Sequence, residues 1–229
     1  MRFRQQGKVG YNRVMSMELI IIALGVILVS MTLHEVMHGF MAYWLGDDTA
    51  KHMGRLTLNP VKHIDPFLTI VLPLVLIAVG GPVFGGAKPV PFNPTRLKYE
   101  EWGVALVAIA GPLTNLVLAF VAYGIGVLGG VVTADGILAT TFGLVLHTFI
   151  TVNLGFMVFN MLPLPPLDGS RVLYALAPDF IRRSMETIEQ LGVMMVFLIV
   201  ILANTFIITY ITHGVEFFLS LFSWVFGLA

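Results

Sequence analysis

Cysteine is absent from the 229 residues, and charge is scarce: 13 Lys and Arg with 13 Asp and Glu make only 11% of the chain. The first absence excludes disulfides, thiolate nucleophiles and cysteine-ligated metals, and is silent on redox compartment. The second excludes an ordinary water-soluble surface, since globular domains are about 25% charged. Zero net charge, a pI near 7.0 and the lack of a basic patch with interleaved aromatics remove nucleic acid from the expected partners. Internal repeats and low-complexity tracts are also missing. No small-residue cleavage site of A-x-A type follows the opening "MRFRQQGKVGYNRVMSM". Residues 1–16 therefore read as an N-terminal tail ahead of a retained span, and residues 17–229 as a single domain.

Apolar residues are what the chain has in quantity. They make 57% of it, with a mean hydropathy of +0.90, which identifies an integral membrane protein whose solvent is the lipid bilayer. Apolar segments run over about 17–45, 67–79, 102–128, 137–162 and 191–211, with a shorter one at 217–228, and all 13 Lys and Arg fall outside them. A helical crossing needs about 20 apolar residues. The segments at 17–45, 102–128, 137–162 and 191–211 qualify. "FLTIVLPLVLIAV" is short and carries Pro73, so it reads as re-entrant or broken; 217–228 lies partly in the interface, where Trp224 is at home. The fold class expected is all-α and polytopic. It comprises about four to six transmembrane helices, a short re-entrant or broken segment and a small extended loop.

Against that background "HEVMH" at 34–38 stands out, because it puts two imidazoles and a carboxylate inside a span. His34 and His38, at i and i+4, lie one above the other on a helix face, where both can reach one metal ion. Glu35 projects beside that face as the general base of a zinc hydrolase. A catalytic zinc takes three protein ligands, and Asp168 in "LPLPPLDGSR" is the candidate for the third. One Zn2+ per chain with Asp168 and Glu35 ionised and both His neutral sums to zero charge. An uncompensated carboxylate in mid-span would cost on the order of 3 kcal/mol.

The two clusters share a membrane face if residues 67–79 do not cross. Nine basic residues then lie on that face, Lys51 to Arg183, against four in the N-terminal tail. By the positive-inside tendency the shared face is expected to be cytoplasmic.

"HEVMH", "AGPLTN" and "NMLPLPPLDGSR" resemble, in order and spacing, the HExxH, GPxxN-like and NxxPxxxLDG motifs of the site-2 protease family of intramembrane zinc metalloproteases. "GRLTLNPVKHIDP" and "AKPVPFNP" resemble its compact prokaryotic branch without a PDZ domain. The resemblance covers about residues 20–190. It implies zinc ligation by His34, His38 and Asp168, acid/base catalysis by Glu35, and a role for Asn160 in holding the substrate carbonyl or developing oxyanion. The implied substrate is a transmembrane protein, cut in or near its membrane segment in regulated intramembrane proteolysis.

Such a substrate must be unwound first, because a transmembrane helix hides its carbonyls in i to i+4 bonds. The extended loop "GGAKPVPFNP", with Val90 at its centre, is the expected place for strand addition by the unwound segment. A transporter or ion pathway is the alternative from another class, since it too uses broken helices and mid-membrane His, Glu and Asp. No inverted repeat of the charged motif supports it. Gly111, Pro112 and Asn115 read as packing residues, and His147 and Asn153 as interhelical hydrogen-bond partners. His52, His63 and His213 read as residues near membrane edges.

Overall fold

The computed structural model describes residues 17–71, 74, 86–192 and 204–228. Its helices follow as α1 (Met17–Trp44), α2 (Glu100–Leu128), α3 (Thr141–Asn160), α4 (Asp168–Leu176), α5 (Asp179–Glu189) and α6 (Asn204–Val225), with a single helical turn at Thr49–His52. Among the described residues α1, α2, α3 and Thr205–Val225 of α6 are long and apolar enough to cross a membrane. The strand content described is one hairpin of two residues a side, Val132–Thr133 with Gly136–Ile137, which turns the chain from α2 into α3. The all-α membrane bundle expected from composition is what forms.

The contacts set the direction of each span. Lys98 donates its N–H to the Leu45 carbonyl at 2.9 Å, and Ala42 and Leu45 pack on Leu97 and Val107. The end of α1 thus lies against the start of α2, and residues 45–98 make no net crossing. The polar clusters at 34–38 and 160–168 share one face, as the re-entrant reading of 67–79 required. Within that segment Pro66–Val71 form one turn of π-helix; the rest, apart from Leu74, lies outside the described residues.

One boundary differs from expectation. The gap placed between 191–211 and 217–228 does not exist, because α6 runs unbroken through Thr212, His213 and Glu216. Polar side chains lowered the local hydropathy without breaking the backbone. His213 therefore sits in mid-helix, not at a membrane edge. Residues 193–203, the first part of the expected fifth span, lie outside the described residues. At one end of α6 Ile207 packs with Phe159 and Leu162; at the other Phe222 meets Phe120 and Tyr123, with ring centroids 5.1 and 5.6 Å apart. α6 hence runs antiparallel to α3 and starts on the face that carries the polar clusters.

Among the described residues between Thr49 and Arg96, that face is built from short turns and the extended strap 86–93. Lys88 and Val90 each precede a proline, which holds them extended. The strap is tied down at alternate residues. Gly86 donates to the Leu68 carbonyl and Lys88 to the His63 carbonyl, both at 2.9 Å. Arg55 Nη2 donates to the Lys88 carbonyl at 2.8 Å, and Asn93 N–H to the buried carboxylate of Asp47 at 2.6 Å.

Candidate metal centre

α1 delivers His34 and His38 as its spacing demands. The rings meet edge to face, with centroids 4.6 Å apart, and the two Nε2 atoms are 2.9 Å apart. Each ring is held from behind by α2: His38 Nδ1 donates to the Val107 carbonyl at 2.7 Å, and His34 Nδ1 to Asn115 Oδ1 at 2.6 Å. With Nδ1 as the donor, Nε2 of a neutral imidazole is an acceptor.

Asp168 arrives from the other side as the first residue of α4. Its neighbour Gly169 permits this approach, since a Cβ there would lie 2.4 Å from the Met161 carbonyl oxygen and 2.7 Å from that of Leu162. Asp168 Oδ2 stands 3.2 Å from His34 Nε2 and 3.4 Å from His38 Nε2, buried and without a hydrogen-bond donor. Three acceptor atoms thus face one point. They ask for a cation there, and a proton can bridge only two of them at a time.

The space at that point is reserved by Gly111 of α2, where a Cβ would fall 2.4 Å from His38 Nε2 and 2.6 Å from His34 Nε2. An orphaned carboxylate oxygen, two imidazole nitrogens and a missing methyl are together the donor set and the room that a divalent ion such as zinc requires. Glu35 is next to the cluster, one ligand atom from each of His34, Glu35 and His38 lying within 4.8 Å of the others. Its Oε2 accepts the Val90 N–H at 2.8 Å.

Of the residues singled out in sequence, His34, Glu35, His38, Asp168 and Val90 come together. The Val90 N–H, expected as a donor to substrate, is spent on Glu35. Asn160, the last residue of α3, donates its side-chain amide to the Phe156 carbonyl at 3.0 Å, and among the described residues it makes no hydrogen bond to the cluster. Gly111 and Asn115 were read as packing residues, yet they line and orient the centre. Their i, i+4 spacing, which sets both on one face of α2, was the available signal.

Residues 21–141 and 129–203 match the family described as Peptidase family M50. The chain is 41% identical over 204 residues to YwhC of Bacillus subtilis (strain 168), a protein named as a zinc metalloprotease, covering 87% of this chain and 90% of that one. It is 32% identical over 183 residues to Rip2 of Mycolicibacterium smegmatis, also so named, covering 76% of this chain and 64% of the relative. No solved structure matches the chain.

Proposed function

The chain belongs to peptidase family M50, and on that footing we propose that it hydrolyses peptide bonds in or near the transmembrane segments of membrane proteins, with one zinc ion held by His34, His38 and Asp168. The observation that carries this reading is the meeting of two imidazole Nε2 atoms and an orphaned carboxylate oxygen beneath Gly111. Family membership counts against the transporter alternative. Residues 17–229 are read as one peptidase domain.

When bound, zinc would polarise the scissile carbonyl and ease deprotonation of the attacking water. The chain's own groups do the rest. Glu35 takes the water's proton as its oxygen forms the new bond to the carbonyl carbon. With Oε2 engaged by Val90, the proton goes to Oε1. Glu35 then returns it to the leaving amide nitrogen as the C–N bond breaks, giving a carboxylic acid and an amine; transfer of the acid's proton, the second from water, leaves a carboxylate and an ammonium group. Asn160 has one Nδ2 hydrogen on its own helix, and we assign the second to the substrate carbonyl.

The strap around Val90 is assigned the unwound substrate, on its outer edge. The inner edge is occupied, since the N–H groups of Gly86, Lys88 and Val90 all bond into the protein. Pro89 and Pro91 have no N–H, so the outer edge offers mostly carbonyls to a docking strand. Nine basic residues on the face that carries the site, against four in the N-terminal tail, support a cytoplasmic orientation in a prokaryotic plasma membrane.

The test is zinc content together with cleavage of a transmembrane test substrate by the purified protein in detergent. One zinc per chain with cleavage that Glu35→Gln abolishes is the expected result. A wild-type protein that cleaves without zinc would overturn the reading.

A further inference from the structure

Behind His34 the structure places a chain of buried polar groups that passes through three helices. Asn115 of α2 accepts from His34 Nδ1 through Oδ1 at 2.6 Å. Its Nδ2 donates to Asn153 Oδ1 of α3 at 2.8 Å. Asn153 Nδ2 in turn reaches Ser30 Oγ of α1 at 2.9 Å and the Phe149 carbonyl of α3 at 2.8 Å. Ser30, Asn115 and Asn153 are each 0% exposed, so no water competes for these bonds. The metal-ligand reading of His34 needs only its nearest neighbour; it leaves Asn153 and Ser30 unused.

The order of donors along this chain is not free. A peptide carbonyl can only accept, so the Asn153 edge that faces Phe149 must be the NH2 edge. Asn153 then has only Oδ1 to offer Asn115, which must answer with its own NH2. Asn115 is thereby left with Oδ1 toward His34, and His34 must carry its hydrogen on Nδ1. If Asn115 turned over, its NH2 would face Nδ1 and its Oδ1 would face Asn153 Oδ1, and the hydrogen of a neutral His34 would move to Nε2, on the side of Asp168 and His38. His38 needs no such chain, because the Val107 carbonyl fixes it directly.

We propose that Asn153 is a positioning residue for His34: by anchoring the orientation of the Asn115 amide on the Phe149 carbonyl, it keeps the Nε2 lone pair directed at the metal position. This rests on the reading of His34 as a zinc ligand. Partners of this kind behind a metal-bound histidine typically change metal affinity about 10–100-fold when removed. Asn153 acts one residue further back, so the lower end of that range applies.

A double-mutant cycle separates orientation from packing. Asn115→Asp puts a carboxylate behind His34, and a carboxylate accepts from Nδ1 whichever way it is turned, so the anchor at Asn153 is no longer needed. Asn153→Leu should therefore weaken zinc binding about tenfold, by chelator competition on detergent-purified protein, when position 115 is Asn. It should change zinc binding less than about twofold in the Asn115→Asp background, where Asn153 Oδ1 would face another acceptor. Equal losses in both backgrounds would make Asn153 a packing residue, and no loss in either would make the chain idle; both results overturn the proposal. Failure of the wild type to bind zinc would instead sink the zinc reading itself. A second measurement uses no zinc and no position-115 variant. Imidazole nitrogen NMR of the 15N-histidine-labelled, metal-free protein should find neutral His34 with its hydrogen on Nδ1 in the wild type and distributed over both nitrogens in Asn153→Leu. An unchanged His34 spectrum in Asn153→Leu would refute the relay even if the variant of position 115 failed to fold.

Discussion

Adding a single methyl group at Gly111 is the sharpest perturbation the structure offers, because local and site effects predict opposite signs. Gly111 lies inside α2, where glycine is about 1 kcal/mol worse than alanine. On backbone grounds Gly111→Ala should stabilise. The alanine Cβ, however, would stand 2.4 Å from His38 Nε2 and 2.6 Å from His34 Nε2, where ordinary contact begins at 3.4 Å. Relief needs a displacement of about 1 Å, several times the roughly 0.2 Å tolerance of a metal site. Overpacking of this kind costs about 1–3 kcal/mol, which cancels or exceeds the propensity gain. The expected result is a folded protein of about wild-type or lower thermal stability when metal-free. Its zinc affinity should fall at least about 100-fold, or about 2.7 kcal/mol, and cleavage should be lost. Gly155→Ala in α3 is the control, with nothing within 4 Å of its Cβ; it should keep zinc and activity and gain up to about 1 kcal/mol. Zinc titration, thermal unfolding with and without zinc, and substrate cleavage are measured on both. Normal zinc affinity and normal cleavage in Gly111→Ala would show that the space beneath Gly111 is not the metal position.

Three further outcomes are expected. Asp168→Ala should lose zinc and activity together, since a ligand and a balancing charge go at once; unchanged zinc content would place the third ligand elsewhere. Val90→Pro should lower kcat more than KM while zinc stays bound, because it removes the N–H that holds Glu35 Oε2 at 2.8 Å; a change in KM alone would mean that Val90 serves substrate binding instead. Single cysteines at Asp48, Lys88 and Arg183, in a chain with none of its own, should be labelled from one side of the membrane and a cysteine at Asp135 from the other. Labelling of Asp48 and Lys88 from opposite sides would break the topology.

Hydropathy made three spans legible to within about four residues: 17–45 against Met17–Trp44, 102–128 against Glu100–Leu128, and 137–162 against Thr141–Asn160. It failed at α6, where Thr212, His213 and Glu216 depressed the average without disturbing the helix. A sliding average weighs polarity, whereas a helix in lipid persists because its backbone has no other hydrogen-bond partner. The cluster of His34, Glu35 and His38 was legible because i, i+4 spacing is a local property of one helix. Asp168 was legible as the candidate third ligand and through its LDG motif, but its route to the site was not, since that depends on Gly169 fitting against the backbone of Met161 and Leu162, a contact that sequence spacing does not encode.

Legible only in outline was the division of labour among polar residues outside HEVMH: Asn153 reads from sequence as an interhelical hydrogen-bond partner, but its partners do not. In an apolar bundle an asparagine side chain cannot remain unpaired, so Asn115 and Asn153 were certain to find partners, but one sequence cannot say which. The structure pairs them with each other and then with His34. It likewise turns Val90 from an edge that receives substrate into the group that holds Glu35. The same strap thus touches the general base on its inner side and presents the carbonyls of Pro89 and Pro91 on its outer side. A substrate strand that shifts the strap must also shift Glu35. On the proposed function, binding of the unwound segment would be coupled mechanically to alignment of the base, because the bonds at Lys88, Arg55 and Asn93 pin the strap on either side of Val90.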